Sequence, residues 1–108
     1  MRHIPLRVIP APPGSRFSDF SYRDALRQVL LAAPANGSLS SDQILARVEV
    51  ARILAAVSPQ ADALVLEEDQ YRTLLSAEKT FPWAVANEEI ADFITAIRNA
   101  PKIDPNGA

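Results

Sequence analysis

Ile4, Leu6 and Val8 alternate with Pro5, Arg7 and Ile9. A period of two predicts a short strand, and Pro5 confines it to a sheet edge or to a strand start. Pro10-Ala11-Pro12-Pro13-Gly14 then opens a Pro-rich linker over residues 10–20, stiff and polyproline-like. From Ser21 the period lengthens. Tyr22, Ala25, Leu26, Val29, Leu30 and Ala33 form the stripe of an amphipathic helix. Ser21 is its expected N-cap, Asp24 suits its first turn, and Pro34 stops it. Ala35-Asn36-Gly37-Ser38 reads as a turn.

The next helix has the clearest start in the chain. Ser40 stands three residues before Gln43, the spacing of a capping box, with Leu39 and Ile44 placed to form a hydrophobic staple. Its body runs to Val57, and Ser58-Pro59 ends it. On a helical projection Ile44, Val48 and Ala51 cluster on one side and Val50, Ile53 and Val57 nearly opposite. Leu54 falls between them, with Arg47, Glu49 and Arg52 in the gaps. Such a helix is either central to its own domain or half of an interface.

Ala63-Leu64-Val65-Leu66 predicts a second strand. Glu67-Glu68-Asp69 opens a third helix with Tyr71, Leu74, Leu75 and Phe81 facing inward; Pro82 ends it, and Trp83 lies in the connection that follows. Asn87 caps a last helix whose inner face is Ile90, Phe93, Ile94 and Ile97, with Arg98 and Lys102 towards its C-terminal end. Asp104 to Ala108 reads as a frayed, disordered tail. The expected architecture is α+β and helix-dominated, four helices with two short strands in the order β-α-α-β-α-α, as a single domain over 1–108. Two strands alone are marginal, so they need helices packed on them or strands from elsewhere. Whether they pair with each other is open at this stage.

Composition narrows the chemistry. The chain has 108 residues, 48% of them hydrophobic and 22% charged, the balance of a folded globular domain. Its formal net charge is −2, with +3 in residues 1–36 and −5 in residues 37–108. That argues against a nucleic-acid coat or a polybasic membrane anchor. With no Cys there are no disulfides, thiolate nucleophiles or Cys-type metal sites. His3 is the one histidine, which leaves no His-rich metal site and no Ser-His-Asp triad to expect. No apolar run approaches the ~20 residues of a membrane span, and Pro5, Arg7 and Pro10 interrupt what would be a signal-peptide core.

Each remaining motif has a structural explanation beside its functional one. Glu67-Glu68-Asp69 could seat a hard cation, but successive helical residues point about 100° apart, and acidic first turns suit the helix dipole. Glu88-Glu89 reads the same way, and Asp104-Pro105-Asn106-Gly107 lacks the spacing of a calcium loop. Arg7-Val8-Ile9-Pro10-Ala11-Pro12-Pro13 matches R-x-x-P-x-x-P formally, yet Arg7 belongs to the strand and the prolines to the linker. Tyr22, Tyr71 and Phe93 lie on apolar helix faces and read as core. Trp83, next to Pro82, is either a core plug or an anchor for a partner. Arg2, Arg7, Arg16, Arg23 and Arg27 would form a basic face diluted by Asp19 and Asp24, and neither P-loop nor dinucleotide glycine motif is present. The sequence therefore predicts no catalytic residue, cofactor or metal site.

Two function classes remain. A helix-turn-helix over 22–57 followed by a strand has part of a winged-helix topology, a nucleic-acid-binding alternative. In it Asp42, Arg47, Glu49 and Arg52 of the would-be recognition helix nearly cancel. A non-enzymatic protein–protein interaction module accounts for more: the doubly apolar second helix, the strand edge near the N-terminus and the absence of catalytic groups. The residues expected to meet a partner protein or a second copy are Val50, Ile53, Val57, Phe81 and Trp83, because a domain this small has difficulty burying two faces of one helix.

Leu39 to Leu54, then Leu64-Val65-Leu66-Glu67-Glu68-Asp69-Gln70-Tyr71, then Phe81-Pro82-Trp83-Ala84-Val85-Ala86-Asn87 and Ile90-Ala91-Asp92-Phe93 follow one another in a succession of packing and caps. This succession, about two thirds of the chain, resembles small uncharacterised proteins of tailed bacteriophages and prophages. The resemblance implies an accessory or assembly factor that binds another protein, carries no catalytic residues, and works in the bacterial host cytoplasm or with the virion.

Overall fold

The computed structural model describes residues 1–11, 13–14, 19–35, 37–83 and 86–102. The expected tail at 104–108, Arg16 in the expected basic face, and part of the 10–20 linker lie outside the described residues. The chain forms β1 (Arg2–Pro5), β2 (Val8–Ile9), β3 (Phe20–Ser21), α1 (Tyr22–Leu31), α2 (Ser41–Ala56), β4 (Ala63–Leu66), α3 (Glu68–Thr80) and α4 (Glu88–Arg98). It is an α+β, helix-dominated fold that keeps the expected β-α-α-β-α-α order, with two further strands of two residues each.

The two expected strands pair with each other. β1 and β4 run antiparallel with Ile4 opposite Leu64 and Arg2 opposite Leu66. The Leu6 N–H extends the ladder to the Asp62 carbonyl at 2.8 Å. Ile4, Leu64 and Leu66 are fully buried beneath the helices. The sequence placed the first strand at a sheet edge or Pro5 at a strand start; β1 lies in a two-stranded sheet, and its side away from β4 meets the C-terminal segment, where His3 N–H donates to the Pro101 carbonyl at 3.1 Å and Arg2 bridges to Lys102. Pro5 is tolerated because His3 and Pro5 share the side turned away from β4, and Pro5 lies past the reach of the C-terminal segment. The edge without a backbone partner among the described residues is the outer side of β4, at Ala63 and Val65.

The expected strand Ile4–Ile9 is interrupted. β4 begins at Ala63, so the N-terminal strand runs out of partner after Leu6, and the chain turns to a second ladder. There Val8 and Ile9 pair with Ser21 and Phe20. What reads as a linker is thus the loop of a small hairpin, tied by the Ala11 N–H to Asp19 Oδ1 at 2.8 Å. Gly14, at φ +79, supplies the left-handed turn residue in that loop.

The helix starts follow their local signals. Ser21 Oγ accepts from the Asp24 N–H, and Asn87 Oδ1 from the Ile90 N–H. Ser40 and Gln43 complete both bonds of the capping box, at 3.2 and 2.8 Å. At α3 the Glu67 N–H donates to Gln70 Oε1.

α1 and α2 are antiparallel neighbours, and each sends an arginine to the C-terminal end of the other. Arg23 donates to the carbonyls of Leu54, Val57 and Ser58 at 3.2, 3.0 and 2.7 Å. Arg47 donates to the Ala32 carbonyl at 3.4 Å. Both cations meet carbonyls at the C-terminal end of the neighbouring helix, the negative end of its dipole.

α4 closes the core. Phe93 and Ile97 are fully buried, with Ile90 and Ile94 half-buried beside them. Tyr71 Oη donates to the Ile97 carbonyl at 2.6 Å and the Arg98 carbonyl at 3.1 Å, joining α3 to the end of α4. Glu78, only 2% exposed, is held by Arg98 through bonds of 3.0 and 3.1 Å. That bidentate pairing satisfies a carboxylate which would otherwise be costly to bury. It also holds the Arg98 guanidinium above its ordinary pKa.

Arg2 fastens β1 to α3. Its Nε donates to Glu68 Oε1 at 2.9 Å, and its guanidinium lies 4.8 Å from the centre of the Tyr71 ring. The Arg2 hydrogen bond and charge hold the Glu68 carboxyl below its usual range, against a smaller opposing effect of desolvation. A carboxyl depressed in the folded state adds stability above its unfolded pKa, about 4.3, and loses it as pH falls through the folded value. The stability advantage of the wild type over Glu68→Gln is accordingly expected at pH 7 and absent at pH 2–3. Urea titrations across that range would check this; an advantage independent of pH would contradict it.

Candidate functional site

The five residues expected at an interface separate in the structure. Val50 has no exposure and belongs to the core cluster that includes Leu26, Leu54 and Leu74, so it does not reach the surface. Ile53 and Val57 are half-buried and packed against that core. Phe81 and Trp83 stack edge-to-face with ring centroids 4.5 Å apart, and Trp83 reaches Phe93 at 6.1 Å. The five do not form one patch.

Trp83 is partly a plug and partly open. Its ring packs on the core, yet its Nε1 is buried without a hydrogen-bond partner among the described residues. An unsatisfied indole N–H costs about 1–3 kcal/mol. On the outer side of Phe81 a shallow cleft of about 560 Å³ is lined by Asp24, Arg27, Gln28, Leu31 and Ala32 as well. Tyr22 lies five residues before Arg27 and is turned into the core instead; burial raises its phenol pKa, with Arg7 lowering it and Asp92 raising it.

α2 is the helix on which the sequence could not choose a face. Arg47, Val50, Ala51 and Leu54 point inward, towards α1 and α3. Ile44 and Leu45 point outward, 48% and 69% exposed, on the first turn and a half of the helix. The exposed apolar pair is therefore at the N-terminal end of α2, whereas the sequence grouped Ile44 with Val48 and Ala51 on one side and looked for the interface at Val50, Ile53 and Val57. Both apolar sides had equal claim on periodicity alone.

Arg47 is the other residue that sequence reasoning missed. It was placed in a gap between the two apolar sides, and it is 5% exposed. Its guanidinium bonds the Ala32 carbonyl and Thr80 Oγ1 at 3.4 and 3.3 Å, both long. Among the described residues no carboxylate pairs with it. Burial alone lowers its pKa. It lines a groove of about 240 Å³ between α2 and α3, together with Gln43, Ala46, Arg72, Thr73 and Ser76. A second groove of about 430 Å³ shares Arg72 and Ser76 and continues past Leu75, Lys79 and Thr80.

Among the described residues no group of three or more His, Asp or Glu is placed to hold a metal ion. Glu67, Glu68 and Asp69 diverge: Glu68 turns to Arg2, while Glu67 starts the helix through Gln70. No helix among the described residues is long and apolar enough to cross a membrane. Compared with family models, with curated proteins and with solved structures, the chain matches none.

Proposed function

We propose that this chain is a non-enzymatic protein–protein interaction module. In the setting its sequence resemblance implies, it is a phage or prophage accessory or assembly protein, in the host cytoplasm or with the virion. The observation that carries the reading is the pair Ile44 and Leu45, large apolar side chains half to two-thirds exposed on a rigid, doubly capped helix start. Adjacent exposed aliphatic side chains on a helix are a common handle for a partner protein.

The winged-helix alternative has less support. β4, the strand after α2, pairs back with β1 and leads into α3, so no wing follows α2 among the described residues. With Arg47 buried, α2 displays Asp42 and Glu49 against Arg52, the wrong balance for phosphates.

The test is solution mass by light scattering after size exclusion, at two concentrations, with lysate capture on immobilised protein, for wild type and Leu45→Asp. Leu45→Asp is expected to stay folded and to lose either self-association or the captured partner. A wild type that stays monomeric at 11.8 kDa and retains the same proteins as Leu45→Asp would overturn the reading.

A further inference from the structure

We infer that the paired grooves between α2 and α3 form a receptor for carboxylate side chains, so that the partner in the proposed interaction presents an acidic segment there. This rests on the reading of the chain as an interaction module and names the chemistry of what it binds.

The first observation is Arg47. Arg47 as a residue is 95% removed from solvent, and an arginine so placed normally has a carboxylate beside it, because desolvating an unpaired charge is costly. Here the cation meets one backbone carbonyl and one hydroxyl, both at long distance, and its remaining N–H groups have no partner among the described residues. Two helix C-termini, those of α1 and α3, offset part of that cost through their dipoles. The groove that Arg47 lines is where a ligand would meet its remaining N–H groups.

The second observation is the composition of the walls. Arg47, Arg72 and Lys79 line the two adjoining grooves with Gln43, Thr73, Ser76 and Thr80, and among the described residues neither wall contains a carboxylate. In a chain whose residues 37–108 carry −5 overall, three cations without an acidic neighbour in the lining stand out. Asp69, one turn before Arg72 on α3, forms no salt bridge with it. Arginine donors in a fork match a carboxylate by two parallel hydrogen bonds, and the spacing along α3 from Arg72 to Lys79 offers a second charge two turns on.

The third observation is continuity. Gln43 at one end of the groove precedes Ile44 and Leu45 on the same turn of α2. An acidic segment with an apolar residue beside its carboxylates would therefore meet both features at once. A nucleic-acid strand fits less well, since its regular phosphates would also meet Asp42 and Glu49 on the exposed side of α2.

The experiment is fluorescence anisotropy of a dye-labelled hexaglutamate peptide with the full chain at low salt, with a labelled oligothymidylate and inorganic phosphate as the other probes. Hexaglutamate is expected to bind, to weaken with salt, and to lose about tenfold or more in affinity in Arg47→Met. Arg72→Glu with Lys79→Glu, both at exposed positions, is expected to abolish binding; it carries the test if Arg47→Met does not fold. Absence of peptide binding by the wild type, or binding unchanged in the Arg72→Glu, Lys79→Glu double variant, would overturn the inference. Tighter binding of oligothymidylate or phosphate through the same residues would also overturn it, in favour of a phosphate ligand. Because the Leu45→Asp capture test is independent of this groove, failure here with partner capture intact removes the acidic-segment inference alone.

Discussion

Val50→Asp is expected to abolish folding. Val50 has no exposure and lies in the core cluster with Leu26, Leu54 and Leu74. An aspartate there would have to bury an unpaired carboxylate or open the α1–α2 packing to water. Either route costs about 4 kcal/mol or more, against the roughly 5–15 kcal/mol that holds a domain of this size together. Far-UV circular dichroism and urea unfolding would read this directly. The contrast with Leu45→Asp makes the result informative, since Leu45 lies five residues earlier on the same helix and is 69% exposed. A folded Val50→Asp protein with altered self-association would instead place Val50 at an interface and contradict the packing described here.

Phe93→Ala is expected to cost about 3–5 kcal/mol, the usual range for a buried Phe truncated in a core. Phe93 is fully buried at the meeting point of three rings, 5.0 Å from Tyr22, 5.8 Å from Phe20 and 6.1 Å from Trp83, all edge-to-face. Those rings come from the hairpin, from α1 and from the connection before α4, so one truncation loosens three joints at once. The urea midpoint should fall with little change in slope. Trp83, the one tryptophan, should report the loosened cluster through its emission. Phe93→Leu keeps most of the buried volume and should lose clearly less. A loss below about 1 kcal/mol in Phe93→Ala would mean that the aromatic cluster contributes little to closing the core.

The helices were readable because their signals are local. Ser21 with Asp24, Ser40 with Gln43 and Asn87 with Ile90 each join groups three residues apart, so a cap is complete within one turn whatever the rest of the chain does. The buried stripe of α1, from Tyr22 to Leu30, matches its spacing for a related reason: one face alone is apolar, and only that face can turn inward. Phe93 and Ile97 on α4 follow the same rule.

The pairing of the strands and the site were not readable in that way. The partner of β1 lies some sixty residues away in β4, and its other side is met by the last described residues, Pro101 and Lys102. Nothing within Arg2–Pro5 encodes those distances. Phe20–Ser21 is too short to carry a period, so β3 is visible only once the hairpin has closed on Val8 and Ile9.

α2 marks the boundary between the two kinds of information. Its residues determined by themselves where the helix starts, where it stops and that it would be apolar on two sides, because caps, breakers and periodicity act within a turn or two. Which side became core was decided by α1 and α3, which together cover Val50, Ala51 and Leu54 and leave Ile44 and Leu45 outside. The same packing drew Arg47 inward, since the C-terminal ends of α1 and α3 converge on it with a carbonyl and a hydroxyl. A charge is stabilised by whatever surrounds it in space, and for Arg47 those surroundings come from residues 15 and 33 positions away along the chain.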